Sequence, residues 1–136
     1  MSRSGYSDDC DDEGRLHLWR GAVDRAIAGK RGQAFLREMA AAMDAMPEKV
    51  LITDTIVDGD GDACAIGTVA LARGLDVSTI DPEDPDQVAA RFGIARALAC
   101  EIAYLNDEGD YSYSETPAKR WTRMRKWVDE QLAVKP

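Results

Sequence analysis

A mainly α fold, with about five or six short helices in one compact domain, follows from three features of the sequence. Apolar residues recur at spacings of three and four through most of the chain. Glycine and proline interrupt that pattern where helices would start and stop. One stretch alone, residues 50–58, is rich enough in β-branched residues to read as strand, and it predicts at most a small β-hairpin. The helical domain is expected over residues 15–136, behind a flexible acidic arm over residues 1–14.

The arm is predicted from charge. Asp8, Asp9, Asp11, Asp12 and Glu13 repel one another, and few apolar residues anchor them. From Leu16 the period becomes helical: Leu16, Trp19, Val23, Ala26 and Ile27 share one face, and Gly29 closes the helix. A second helix is predicted over 32–46, where Phe35, Met39, Met43 and Met46 line one face and Pro47 stops it. A short link between two amphipathic helices predicts an antiparallel pair.

After residues 50–58 come the turn formers Gly59-Asp60-Gly61. Residues 63–73 read as a short, nearly all-apolar helix that is central and buried, closed by Gly74. Gly67 within it offers close approach to another helix. A loop of acids and prolines, 81–86, leads into a helix over 85–92, because Pro and Asp suit a first turn. Gly93 breaks it, and a further helix is predicted over 94–105. Thr116 caps the last helix, with Pro117 at its first position. Trp121, Met124, Val128 and Leu132 line its inner face, Trp127 sits at the edge, and Lys119, Arg123 and Lys126 fall opposite.

The chain has 136 residues, 45% hydrophobic and 31% charged, which supplies a core and excludes a wholly disordered protein. Seventeen basic against twenty-five acidic residues give a net charge of −8. That balance argues against nonspecific polyanion binding, which needs local positive charge. No apolar run is long enough for a transmembrane helix, and the polar N-terminus does not read as a signal peptide. Cys10, Cys64 and Cys100 are odd in number and far apart, as expected of reduced cytosolic thiols.

Four arrangements are candidates for function. Asp58, Asp60 and Asp62 alternate like the first half of a calcium loop, but Ala63 and Val69 stand where glycine and glutamate belong, so a solvated turn is expected. Residues 87–102 are similar to a DNA-binding helix-turn-helix: Ala89 is the small packing residue, Gly93 the turn, and Phe92, Ile94, Leu98 or Ala99, and Ile102 the apolar positions. Its reading half is poor, since Arg96 alone is suited to reading a base edge and acids guard the approach. Catalysis is not expected: His17 is the one histidine, and neither a phosphate-binding glycine loop nor a nucleophile elbow is present. No metal or other cofactor is expected either.

The fourth candidate is the acidic surface. Fifteen of the twenty-five acids lie in four clusters, at 8–13, 58–62, 81–86 and 107–110. Placed on one face, they imitate a phosphate backbone and suit a nucleic-acid-binding groove of another protein; placed apart, they are ordinary solubilising loops.

Several stretches carry a family likeness. They are Ser2-Arg3-Ser4-Gly5-Tyr6-Ser7-Asp8-Asp9, Trp19-Arg20-Gly21-Ala22, the run from Gly29 to Glu38, Cys64-Ala65-Ile66-Gly67 and Arg73-Gly74. Further along are Phe92-Gly93-Ile94-Ala95, Glu101-Ile102, Asn106-Asp107-Glu108, Glu115-Thr116-Pro117, Arg120-Trp121 and Met124-Arg125-Lys126-Trp127-Val128. With these, the chain resembles a family of small uncharacterised bacteriophage- and prophage-encoded proteins. The resemblance implies an accessory factor that acts in the bacterial cytoplasm by binding a host or phage protein. Its sharpest form is an anti-CRISPR-like inhibitor of a host nucleic-acid-handling defence complex. For that role the expected partner-binding residues are Asp8, Asp9, Asp11, Asp12, Glu83 and Asp84. The alternatives are a helix-turn-helix regulator using Arg96 and a virion assembly component that self-associates through the last helix.

Overall fold

A computed structural model of the chain describes residues 3–6, 15–110, 112 and 114–132. It is mainly helical, with six helices: α1 (Arg15–Ala28), α2 (Lys30–Asp44), α3 (Ala65–Arg73), α4 (Pro85–Phe92), α5 (Arg96–Glu108) and α6 (Pro117–Leu132). Helix α5 is the hub and touches α1, α3, α4 and α6. Helix α2 packs chiefly on α3 and α6. The shared core includes Val23, Leu36, Met39, Met43, Leu51, Val69, Leu98, Ile102, Met124 and Val128, each fully enclosed. Burying a side chain of this kind contributes about 1.5–3 kcal/mol. Among the described residues no helix is long and apolar enough to cross a membrane.

Local chemistry sets most helix ends. The Asp84 carboxylate accepts the N–H groups of Asp86 and Gln87, Pro85 opens α4, and Gly93 closes it in the left-handed region at φ 73°. Thr116 Oγ1 accepts the Lys119 N–H at 3.1 Å and so caps α6. Gly74 closes α3 at φ 69°. Helix α1 ends where expected, but α2 starts at once after Gly29, a single extended residue at φ −70° and ψ 162°. A one-residue corner leaves no room for a side-by-side antiparallel hairpin, so α2 finds its main partners in α3 and α6 instead.

The expected hairpin is not formed: the described residues hold no strand, only an isolated antiparallel bridge between Val57 and Ala63. The backbone groups of residues 51–56 go to separate partners. The Leu51 N–H donates to the Pro117 carbonyl at 3.1 Å, and its carbonyl accepts from Arg120 at 2.8 Å. The Ile52 carbonyl accepts from the Asn106 side chain at 2.9 Å, and the Ile56 carbonyl from the Cys64 N–H at 3.0 Å. The segment is a thread between helix ends, buried at Leu51 and Ile56, whose backbone bonds go to side chains and neighbouring loops and not to a sheet. Gly67 faces this thread rather than a helix. A Cβ there would lie 2.0 Å from the Ile56 carbonyl oxygen.

The start of the chain also differs from expectation. Residues 3–6 are not a free arm, for Arg3 and Ser4 are buried against the body. The Arg3 guanidinium holds both oxygens of Asp107, at 2.6 and 2.9 Å, and its third nitrogen lies 3.5 Å from Cys64 Sγ. Tyr6 donates to Glu101 at 2.7 Å and meets Trp19 edge-on at 5.4 Å between ring centres. The rest of the expected arm, including Asp8, Asp9, Asp11 and Asp12, lies outside the described residues.

Helix α6 buries Met124 and Val128 and half-buries Trp121, Trp127 and Leu132. Arg123 does not join the solvent-facing cations. It bonds Glu115 at 2.5 and 2.9 Å and the carbonyls of Leu105 and Asn106 at 2.7 and 3.3 Å. A cation there adds to the Gly109 N–H on the Leu105 carbonyl and complements the negative end of α5.

Candidate functional site

Two populations of carboxylates stand out, while Asp24, Glu48, Asp54, Glu108 and Glu130 are exposed elsewhere with no ion pair among the described residues. One is neutralised within the fold. Arg3 pairs with Asp107, Arg20 with Glu101, Arg73 with Glu38, Arg125 with Asp44 and Asp129, and Arg120 and Arg123 with Glu115. These pairs fasten helices to one another and to the docked start of the chain. The other population sits on two loops. Among the described residues, none of Asp58, Asp60, Asp62, Asp81 and Glu83 takes part in an ion pair.

Those two loops flank one groove. It has a volume of about 510 Å³ and runs between residues 55–59 and 75–82, past the end of α3. Its floor is apolar, built from Ile56, Val57, Leu71, Leu75, Val77 and Ile80. Leu71 is 49% exposed there, although α3 is otherwise buried through its first six residues. Asp58 and Asp76 line the groove, Asp60 and Asp62 gather around Asp58, and Asp81 and Glu83 stand on either side of the lining residue Pro82. Arg91 reaches the same wall, bonded to Thr79 Oγ1 at 3.1 Å and to the Asp76 carbonyl at 3.3 Å.

The loops hold themselves in shape. Asp58 Oδ1 accepts the N–H groups of Asp60 at 2.9 Å and Asp62 at 3.0 Å. Asp76 accepts the Ser78 side chain and backbone, which keeps its carboxyl below the usual range. Asp81 accepts the Glu83 N–H at 2.9 Å. The Asp58, Asp60 and Asp62 carboxylates lie within 4.8 Å of one another. A complete calcium loop is not formed around them: Val69, at the twelfth position, is buried in the core.

Of the expected contact residues, Glu83 is exposed beside the groove and Asp84 is half-buried at the N-cap of α4. Asp8, Asp9, Asp11 and Asp12 are outside the described residues. The 107–110 cluster does not share this face. Asp107, Glu108 and Asp110 line a separate polar cleft of about 300 Å³ with Thr53, Glu115 and Arg120. Its most enclosed acids, Asp107 and Glu115, are already paired with arginines. Asp54 borders it at φ 71°, its N–H donating to Asp107 at 3.2 Å.

The helix-turn-helix packing is present. Ala89, Phe92, Ile94, Leu98 and Ile102 are all buried around the Gly93 turn. Yet Leu98 through Ile102 are buried without interruption, and α5 is flanked by four other helices. A helix so enclosed does not present a face to a DNA groove. Arg96, the one candidate reading residue, pairs with Asp86 at 3.1 Å. Cys64 and Cys100 are free and buried, and burial pushes the Cys100 thiol up.

The chain matches no protein-family model, no curated protein and no solved structure. Its residues and their geometry therefore carry the functional argument. Sequence reading found the acidic loops but missed Leu71 and Asp76. The available signal was Leu71, Leu75, Val77 and Ile80 spaced around an acid beyond the end of an apolar helix.

Proposed function

We propose that the chain is a phage-encoded, non-enzymatic protein-binding factor of the bacterial cytoplasm. Its acidic face engages a host nucleic-acid-handling defence complex, in the manner of an anti-CRISPR protein. The observation that carries this reading is placement: Asp58, Asp60, Asp62, Asp81 and Glu83 take part in no ion pair among the described residues, and they stand on the two loops that flank one apolar groove. Exposed, unmatched carboxylates repel nucleic acid and attract the basic surface of a protein that binds it. Glu83 is a contact residue in this reading. Asp84 contributes indirectly, by fixing the start of α4 below the loop.

The test is capture of tagged protein from a bacterial host lysate treated with nuclease. The expected result is a nucleic-acid-binding protein complex that survives nuclease and is lost with the triple variant Asp60→Lys, Asp81→Lys, Glu83→Lys. The variant should keep its helical circular dichroism. Undiminished capture by a folded triple variant overturns the reading. So does recovery of DNA that disappears with nuclease and with Arg96→Ala.

A further inference from the structure

We infer that the groove beside Leu71 is a docking slot for a basic, amphipathic protein segment. Such a segment seats an aliphatic or aromatic side chain against Leu71 and sets Lys or Arg residues against Asp58, Asp60, Asp76 and Glu83. This deepens the protein-binding reading above and rests on it.

Two independent properties define the occupant. The first is the apolar floor. Leu71 is one of two large hydrophobic side chains markedly exposed among the described residues, and it lines the groove. At about 510 Å³ the groove falls in the size range of pre-formed binding clefts. Apolar surface held in a concave site is the usual seat of an anchoring side chain. The second property is the rim. Its loops are pinned by N–H groups donating to the Asp58, Asp76 and Asp81 carboxylates, so their backbone needs little ordering on binding.

Together these select the ligand class. A nucleic acid is repelled by the rim. A purely apolar ligand makes no use of it. A peptide segment with cations on either side of an apolar anchor satisfies both, by charge complementarity and by covering Leu71. A second copy of this chain is the competing occupant, since α6 carries Lys126 next to half-buried Trp127.

The experiment titrates the full chain with a fluorescent Lys/Leu peptide, followed by anisotropy and by amide chemical shifts. A Lys/Gln peptide of equal charge is the comparison. Saturable binding is expected, with shift changes centred on Leu71 and Val77. Leu71→Ser should weaken binding about tenfold, and the Lys/Gln peptide should bind about tenfold more weakly than Lys/Leu. Leu18→Ser changes the other exposed leucine, which does not line the groove, and should leave affinity unaltered. Because Leu71 is half exposed, its variant should melt close to the parent protein.

Equal affinity of the parent and Leu71→Ser, equal binding of the two peptides, or shifts centred elsewhere overturns the slot. Concentration-dependent dimers that vanish with Leu71→Ser overturn it in favour of self-association. The two levels separate cleanly. If the lysine triple variant loses the peptide and Leu71→Ser keeps it, the slot fails and the acidic-face reading stands. If Leu71→Ser loses the peptide and lysate capture yields no protein partner, the slot stands and the proposed function fails.

Discussion

Asp84 and Tyr6 show how single side chains hold this fold. Asp84 gives one carboxylate to two backbone N–H groups at the start of α4. Asp84→Ala should cost about 1 kcal/mol. Differential scanning calorimetry should then show a melting temperature lower by about 4 °C. This residue should therefore be left intact when the acidic face is tested by charge reversal. Tyr6 is a half-buried phenol bonded to Glu101. Burial first, and then that hydrogen bond, hold its hydroxyl above the ordinary value of 10.0. The folded state thus prefers the protonated phenol. Its contribution is complete below pH 10.0 and is lost as pH rises beyond it. Urea melts across an alkaline series should show the parent losing stability where Tyr6→Phe loses less.

At the scale of elements, α2 is fastened from both sides by arginine. Arg73 of α3 grips Glu38 at 2.7 and 2.8 Å and lies over the rings of Phe35 and Phe92. Arg125 of α6 grips Asp44 at 2.8 and 3.0 Å. In each case the arginine hydrogen bonds hold the carboxyl below its ordinary value. The sign is that of a depressed acid. Stability is full above the ordinary carboxylate range and is lost as pH falls through the folded value. The double variant Glu38→Gln, Asp44→Asn should be less stable at neutral pH and lose less on acidification, as read from denaturant midpoints at each pH. The helices themselves were legible in sequence. The start and end of α4 and the cap of α6 matched expectation, because Asp84, Pro85, Gly93 and Thr116 act on their own neighbours. The 50–58 thread was not legible, since β-branched composition says nothing about which backbone groups will meet it. Nor were the long-range ion pairs of Arg3, Arg20, Arg73 and Arg125, whose members are separated by 35 to 104 positions.

For the whole molecule, charge placement matters more than the net value of −8. Two of the four acidic clusters flank one groove, and a third belongs to a different cleft where arginines neutralise part of it. Composition reveals the clusters, but only the fold decides which of them face together. A binding face of exposed acids is screened by salt, because the Debye length shrinks from about 10 Å at 0.1 M to about 3 Å at 1 M. Peptide affinity for the groove should therefore fall steeply as sodium chloride is raised, and the association rate should fall with it. The apolar anchor is not screened, so a residual affinity dependent on Leu71 should persist at high salt. Stopped-flow measurements over a salt series read both.

The seat of Arg3 has a consequence for the order in which the protein is made. Its partner Asp107 lies 104 positions downstream, so the counter-charge is synthesised long after the arginine that needs it. Until then the third residue has nowhere to bury its guanidinium, and Cys64 lacks its cover. Docking of Arg3 thus waits until Asp107 is available. An alkylating reagent applied to stalled translation products should label Cys64 in those that end before Asp107 and spare it in those that continue through α6.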